Sequence, residues 1–160
     1  MKKRVELSSY CFIVSALTIA VLCGILLYVL KQQDNRWPVI ILGVLIVGLL
    51  LPTLFYMPLS LSVDNKYLNI NRPLRIKSTP LEDIAAVKLC PPTMGAIRIA
   101  GSGGWFGWYG WFREKDLGKY FAYYGKASDC FLVTLKDGRK YMLSCKDPAE
   151  MVKYISDKIC

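Results

Sequence analysis

The stretch CFLVTLKDGRKYMLSCKDPAEMVKYISDKI, Cys130–Ile159, changes its periodicity halfway along. CFLVTL and KYMLS read as strands flanking Asp137-Gly138, a pair that supplies the positive φ of a tight hairpin turn. After Cys145 the spacing becomes helical. Asp147 is placed to cap a helix, Pro148 suits its first turn and Glu150 completes a box-like arrangement. Met151, Val152, Ile155 and Ile159 then make one apolar stripe. That stripe has to cover something, and the open end of a curled sheet is the natural candidate. Strands in series followed by one helix predict an α+β domain.

Upstream, LSLSV, KYLNI, LRIK, IAAVKL and KYFAYY continue the strand pattern back to Leu59. Between them lies GSGGWFGWYGWF, Gly101–Phe112, with six aromatic rings and five glycines in twelve positions. A phosphate cradle is excluded: no Gly-x-x-x-x-Gly-Lys-Ser/Thr occurs, and no helix with an apolar stripe follows. Gly101, Gly103 and Gly104 suit a tight bend, with some rings filling the barrel or packing on the hairpin of apolar helices read at the start of the chain. Trp105, Phe106, Trp108, Tyr109, Trp111 and Phe112 together exceed what so small a domain can bury. The surplus points to a loop that docks on lipid or on a partner, with Arg113, Lys115 and Lys119 following where cations meet anionic headgroups.

The first third of the chain is of another kind. YCFIVSALTIAVLCGILLYVL, Tyr10–Leu30, and PVIILGVLIVGLLLPTLFYM, Pro38–Met57, carry no charge. Each is long enough as a helix to cross the roughly 30 Å hydrocarbon layer. The first exceeds the 7–15 residue core usual in a signal peptide, and a helix apolar on every face does not suit a small soluble core. Pro38 fits a first helical position and Pro52 predicts a kink near the end. KQQDNRW is so short a connector that the two helices pack antiparallel, and Trp37 and Tyr56 suit the interfaces. The division expected is a transmembrane hairpin over 1–58, with spans 10–30 and 38–57, and a second domain over 59–160.

Charge sets the orientation. Lys2, Lys3, Arg4, Lys66, Arg72, Arg75 and Lys77 flank the hairpin on the side of its two tails, against Lys31 and Arg36 in the connector. The positive-inside rule therefore places both termini in the cytoplasm. Cys90, Cys130, Cys145 and Cys160 would then stay reduced, and without a CxxC pair or any histidine they make no zinc site. The net charge of +9 raises nucleic-acid binding, but the cations are interleaved with acids and form no stripe. Without histidine, Ser–His and Cys–His catalysis is excluded; Cys90 has no local base, and Glu82-Asp83 reads as a turn. The chain reads as a non-enzyme with no cofactor, no metal and no evident small-molecule substrate.

PLEDIAAVKL, the glycine-aromatic block and FLVTLKDGRKYMLSCKDPAEMVKYI, in that order behind an apolar hairpin, resemble the bacterial pleckstrin-homology-like (PH-like) domains. The resemblance covers Leu59 to Ile159. It implies a seven-stranded, partly open antiparallel β-barrel plugged by the C-terminal helix, in a bacterial cytoplasmic membrane. It also implies a binding or scaffolding role, with a protein partner or self-association beside the lipid bilayer. Family members that bind phosphoinositides use basic residues around an early hairpin, which nominates Arg72, Arg75 and Lys77 here, although their dense basic cluster is missing. Two alternatives stay open: a sensor of anionic headgroups, and an accessory subunit of a membrane transporter or enzyme.

Overall fold

The computed structural model describes residues 1–31, 36–93 and 95–159. Most of the connector expected between the helices, together with Cys160, therefore lies outside the described residues. The chain opens on strand β1 (Lys2–Arg4), then helices α1 (Ser9–Lys31) and α2 (Trp37–Tyr56). Strands β2 (Ser60–Val63), β3 (Tyr67–Asn71), β4 (Ile76–Pro80) and β5 (Ile84–Leu89) follow. The aromatic block falls in β6 (Ile97–Gly104) and β7 (Gly107–Glu114). Then come β8 (Gly118–Tyr124), β9 (Cys130–Leu135), β10 (Lys140–Ser144) and helix α3 (Pro148–Ile159).

Both long helices are apolar enough to cross a membrane, with mean hydropathies of 2.7 and 2.6. Only 6% and 11% of their apolar windows are buried inside the protein, so they are not the core helices of a globular domain. Pro52 sits inside α2. Pro58 has no N–H to give the Leu54 carbonyl four residues earlier. That acceptor is met from the β3–β4 turn instead, by the Leu74 N–H at 3.3 Å.

The strands form two sheets, β1-β2-β3-β4 and β5-β9-β10-β8-β7-β6. Leu61, Val63, Leu68 and Ile70 of the first face Tyr123, Val133, Leu135, Tyr141 and Leu143 of the second across the main core. Met151 and Ile155 of α3 are fully buried in that core, with Val152 and Ile159 partly so. The expected stripe therefore covers the sheet. Asp147 does not cap it: its φ is +56° and its carboxylate meets the Lys3 ammonium at 3.3 Å.

Three features depart from the expected barrel. Among the described residues nine strands follow the hairpin in place of seven, because the aromatic block adds β6 and β7 as a hairpin of its own. One pair is parallel, β8 with β10, so the larger sheet is not antiparallel throughout. The third is β1, which precedes α1 yet pairs with β2 in the register Lys2–Ser62, Lys3–Leu61 and Arg4–Ser60. The Lys146 N–H donates to the Arg4 carbonyl and the Ser8 N–H to the Gly125 carbonyl, tying the same segment to the second sheet. Both ends of the helical hairpin are thereby built into one folded domain and lie on one side.

Candidate functional site

The aromatic block is not a loop. Ser102 pairs with Tyr109, Gly103 with Trp108 and Gly104 with Gly107, leaving Trp105 and Phe106 as the two-residue turn. Of Gly101, Gly103 and Gly104, where a tight bend is expected, Gly104 adjoins the turn, while Gly101 lies in the ladder facing Gly110. The φ angles of this facing pair are +133° and +123°. A Cβ at Gly101 would stand 2.1 Å from the Tyr109 carbonyl oxygen, and one at Gly110 would stand 2.2 Å from that of Ala100. Only a pair of glycines lets the two backbones approach this closely.

The tip of this hairpin lies against the two long apolar helices. The Phe106 N–H donates to Ser15 Oγ at 2.9 Å, and Trp105 Nε1 donates to Thr53 Oγ1 at 2.8 Å. Thr53 donates its own proton to the Leu49 carbonyl at 3.0 Å. Its 2.9 Å contact with the Tyr109 hydroxyl is then a bond that Tyr109 donates, which saturates the hydroxyl. Tyr10 stacks on Trp108 at 6.4 Å and Tyr56 on Tyr109 at 6.3 Å. Ser15 and Thr53 are both buried, in helices most of whose residues are exposed. Reading for charge alone passed over them. The signal was present in the hydroxyls, which a lipid-facing helix has no reason to bury.

The six rings divide between the two faces of the sheet. Tyr109 and Phe112 are buried, Trp105, Phe106 and Trp108 are half-buried, and Trp111 is 37% exposed. They fit because the chain has a second core on the other face, built from Phe112, Tyr120, Tyr124, Cys130, Leu132 and Met142. Cross-strand register supplies the ring pairs. Trp108 stacks on Tyr124 at 5.9 Å, Phe112 on Tyr120 at 6.1 Å, and Trp111 meets Phe121 edge-on at 5.1 Å. Glu114 closes that core: it is buried and accepts from Tyr120 Oη at 2.5 Å and from Thr93 Oγ1 at 2.9 Å.

The basic candidates separate. The Arg72 guanidinium lies 5.8 Å from the Tyr56 ring centre and 5.7 Å from that of Tyr123. Lys77 Nζ is 4.0 Å from the centre of the Tyr141 ring, 5.8 Å from that of Tyr123, and donates to Tyr141 Oη at 2.8 Å. These two cations share the Tyr123 ring beside the last residue of α2. Arg75 is exposed in the β3–β4 turn and meets Arg72 only through its carbonyl, at 3.0 Å. Arg113 and Lys115 are exposed at the far end of β7, away from that group, whereas Lys119 caps the Trp111 ring at 4.4 Å. Burial pushes the Tyr123 hydroxyl up to about 12, with Arg72 pulling the other way. The Cys130 thiol is also pushed up by burial, and Cys145 to about 12.

No curated protein and no solved structure matches the chain. The family model described as "Bacterial PH domain" matches residues 59–159, from the residue before β2 to the end of α3. Two sheets around one core, an unclosed larger sheet and a C-terminal helix seated on it agree with that match. On this evidence the chain belongs to the bacterial PH domain family.

Proposed function

We propose that this protein is a non-catalytic binding module, held at the cytoplasmic face of a membrane by its helical hairpin and presenting its PH-like domain to a protein partner or to further copies of itself. The observation that carries this reading is the double attachment of domain to helices. β1 and β2 join the two ends of the hairpin in one sheet, and the Trp105–Phe106 tip bonds Ser15 and Thr53 higher up. A domain mounted this way holds one constant surface outward, as a scaffold requires. The seven cations beside the tails, against two in the connector, support the cytoplasmic side. The lack of histidine and the upward push on the Cys130 and Cys145 thiols, opposite to what a nucleophile needs, support a non-catalytic role. Crosslinking in native membranes, followed by identification of co-purified proteins, tests it. A constant protein partner is expected, and recovery of lipid alone would refute it.

A second reading, a sensor of anionic headgroups, is favoured by Arg72 and Lys77. Neither forms an ion pair among the described residues, and Arg72 lies over Tyr56, where the spanning helix ends. Trp111, with Lys119 on its ring, offers an interfacial contact beside them. Liposome binding by the chain with Arg72, Arg75 and Lys77 replaced by Gln decides this. Binding equal to that of the unaltered chain removes the headgroup site.

A further inference from the structure

Arg98, on the outer strand β6, folds its guanidinium back along the strand to Gly103. A Cβ at Gly103 would stand 2.5 Å from Arg98 Nη1, so the glycine leaves the room that the guanidinium fills. Arg98 forms no ion pair among the described residues. It borders a cleft of about 490 Å³ whose other walls include Val14, Gly48, Leu49, Pro52 and Trp105. Gly48 and Leu49 lie roughly 10–12 Å along α2 from its end at Tyr56, at 1.5 Å per residue. Leu49 and Trp105 also line a second cleft of about 230 Å³ between the helices, with Ile19, Leu22, Leu26 and Ile46. The two clefts adjoin at those shared walls. Taken as one groove, they run from a cation beside the β-hairpin to an apolar channel between the two long helices.

We propose that this groove holds one anionic phospholipid, its phosphate on Arg98 and one acyl chain between α1 and α2 beneath Trp105. The proposal rests on reading the two helices as membrane-spanning. The order of chemistry along the groove selects the occupant. A guanidinium matches a phosphate with two parallel N–H···O bonds, and hydrocarbon fills a channel lined by Ile and Leu. An apolar helix from another protein would fill the channel but offer Arg98 no anion.

The test uses the full chain in nanodiscs of equimolar phosphatidylglycerol and phosphatidylcholine with identical acyl chains. Extraction into mild detergent is followed by native mass spectrometry. The unaltered chain is expected to retain one phosphatidylglycerol. Arg98→Gln, an exposed change, is expected to lower the ratio of phosphatidylglycerol to phosphatidylcholine retained by about tenfold, the loss of one charge-assisted contact. Leu49→Trp fills the groove and is expected to abolish retention of both lipids; Leu22→Trp on the opposite wall gives the same reading should Leu49→Trp misfold. An unaltered chain that carries no lipid, or a co-purifying polypeptide in its place, overturns the proposal, as does an unchanged ratio in Arg98→Gln. Alkaline carbonate washing of native membranes separates this from the underlying reading. A chain released into the supernatant was never membrane-spanning, whereas a chain that stays in the membrane but retains no lipid defeats the groove alone.

Discussion

Trp105 and Thr53 are 52 residues apart in sequence, yet the indole N–H of one donates to the hydroxyl of the other across 2.8 Å. Thr53 also receives the Tyr109 hydroxyl and passes its own proton to Leu49. One threonine thus holds the turn and the second strand of the aromatic hairpin against α2. Thr53→Val leaves two donors without their acceptor and is expected to cost about 1–3 kcal/mol. Thr18 bonds only the Val14 carbonyl of its own helix, so Thr18→Val should change stability by less than about 0.5 kcal/mol. Denaturation of the reconstituted chain, followed by tryptophan emission, compares the two. Equal losses would remove the clamp.

The Gly101–Gly110 pair gives a sharper contrast. Alanine at Gly101 faces both an unfavourable φ of +133° and backbone atoms 2.1 Å from its Cβ. Gly138 also has a positive φ, +85°, but nothing lies within 4 Å of a Cβ there. Gly138→Ala should cost only the conformational term, roughly 1–2 kcal/mol. Gly101→Ala adds a collision that the strands relieve only by separating, and is expected to prevent the hairpin from forming. Thermal unfolding of the purified chains should show a modest drop in Tm for the first and no cooperative transition for the second.

Glu114 anchors the second core through Tyr120 and Thr93. Glu114→Ala strands the buried Tyr120 hydroxyl and frees Thr93, and should cost about 2–4 kcal/mol, while Tyr120→Phe, which leaves Thr93 in place, should cost about 1–2 kcal/mol. Because the Thr93 N–H in the connection between β5 and β6 donates to Glu114 Oε2 at 3.3 Å, its hydrogen exchange should accelerate in Glu114→Ala and stay unchanged in Tyr120→Phe. Unchanged exchange in Glu114→Ala would mean that the carboxylate does not hold the connection.

Alkaline pH probes the ring cluster under Arg72. The Tyr123 hydroxyl is held up to about 12 by burial, against an ordinary value of 10. Between those values the unfolded chain releases this proton and the folded chain keeps it. The stability tied to Tyr123 is therefore complete below pH 10 and is lost as pH rises from 10 to about 12. Tyr120 and Tyr124 are shifted in the same direction by burial. Tyrosinate absorbance should lag the ordinary titration and then rise together with unfolding. A single step at pH 10 from a chain that remains folded contradicts this.

Much of this was legible because it depends on spacing alone. α3 declares itself through Met151 and Ile155 at helical intervals, and β5 runs over Ile84–Leu89 as its alternation with flanking turn residues suggests. The Asp137-Gly138 signal located a hairpin correctly but not its turn. Leu135 and Arg139 flank three residues, and of Asp137 and Gly138 only the glycine has a positive φ. Features that depend on distant partners could not be read. Lys2–Arg4 is too short to look like a strand, and it becomes one only because β2 arrives after two helices. Likewise the glycines in Gly101–Phe112 look like a flexible loop until Gly101 meets Gly110 across a ladder. The rings looked too many for the domain because a second core, on the far face of β7 and β8, leaves no local trace in sequence.

The β1–β2 pairing has a consequence for the order of synthesis. Lys2–Arg4 is made before both long helices, but its partners at Ser60–Ser62 emerge only after them. Until then Lys2–Arg4 has no strand to join, and the pair closes only where both segments lie on one side of the helical hairpin. Separating them would leave the smaller sheet without its outermost strand. Completion of that sheet therefore requires the two helices to have returned the chain to the side it left.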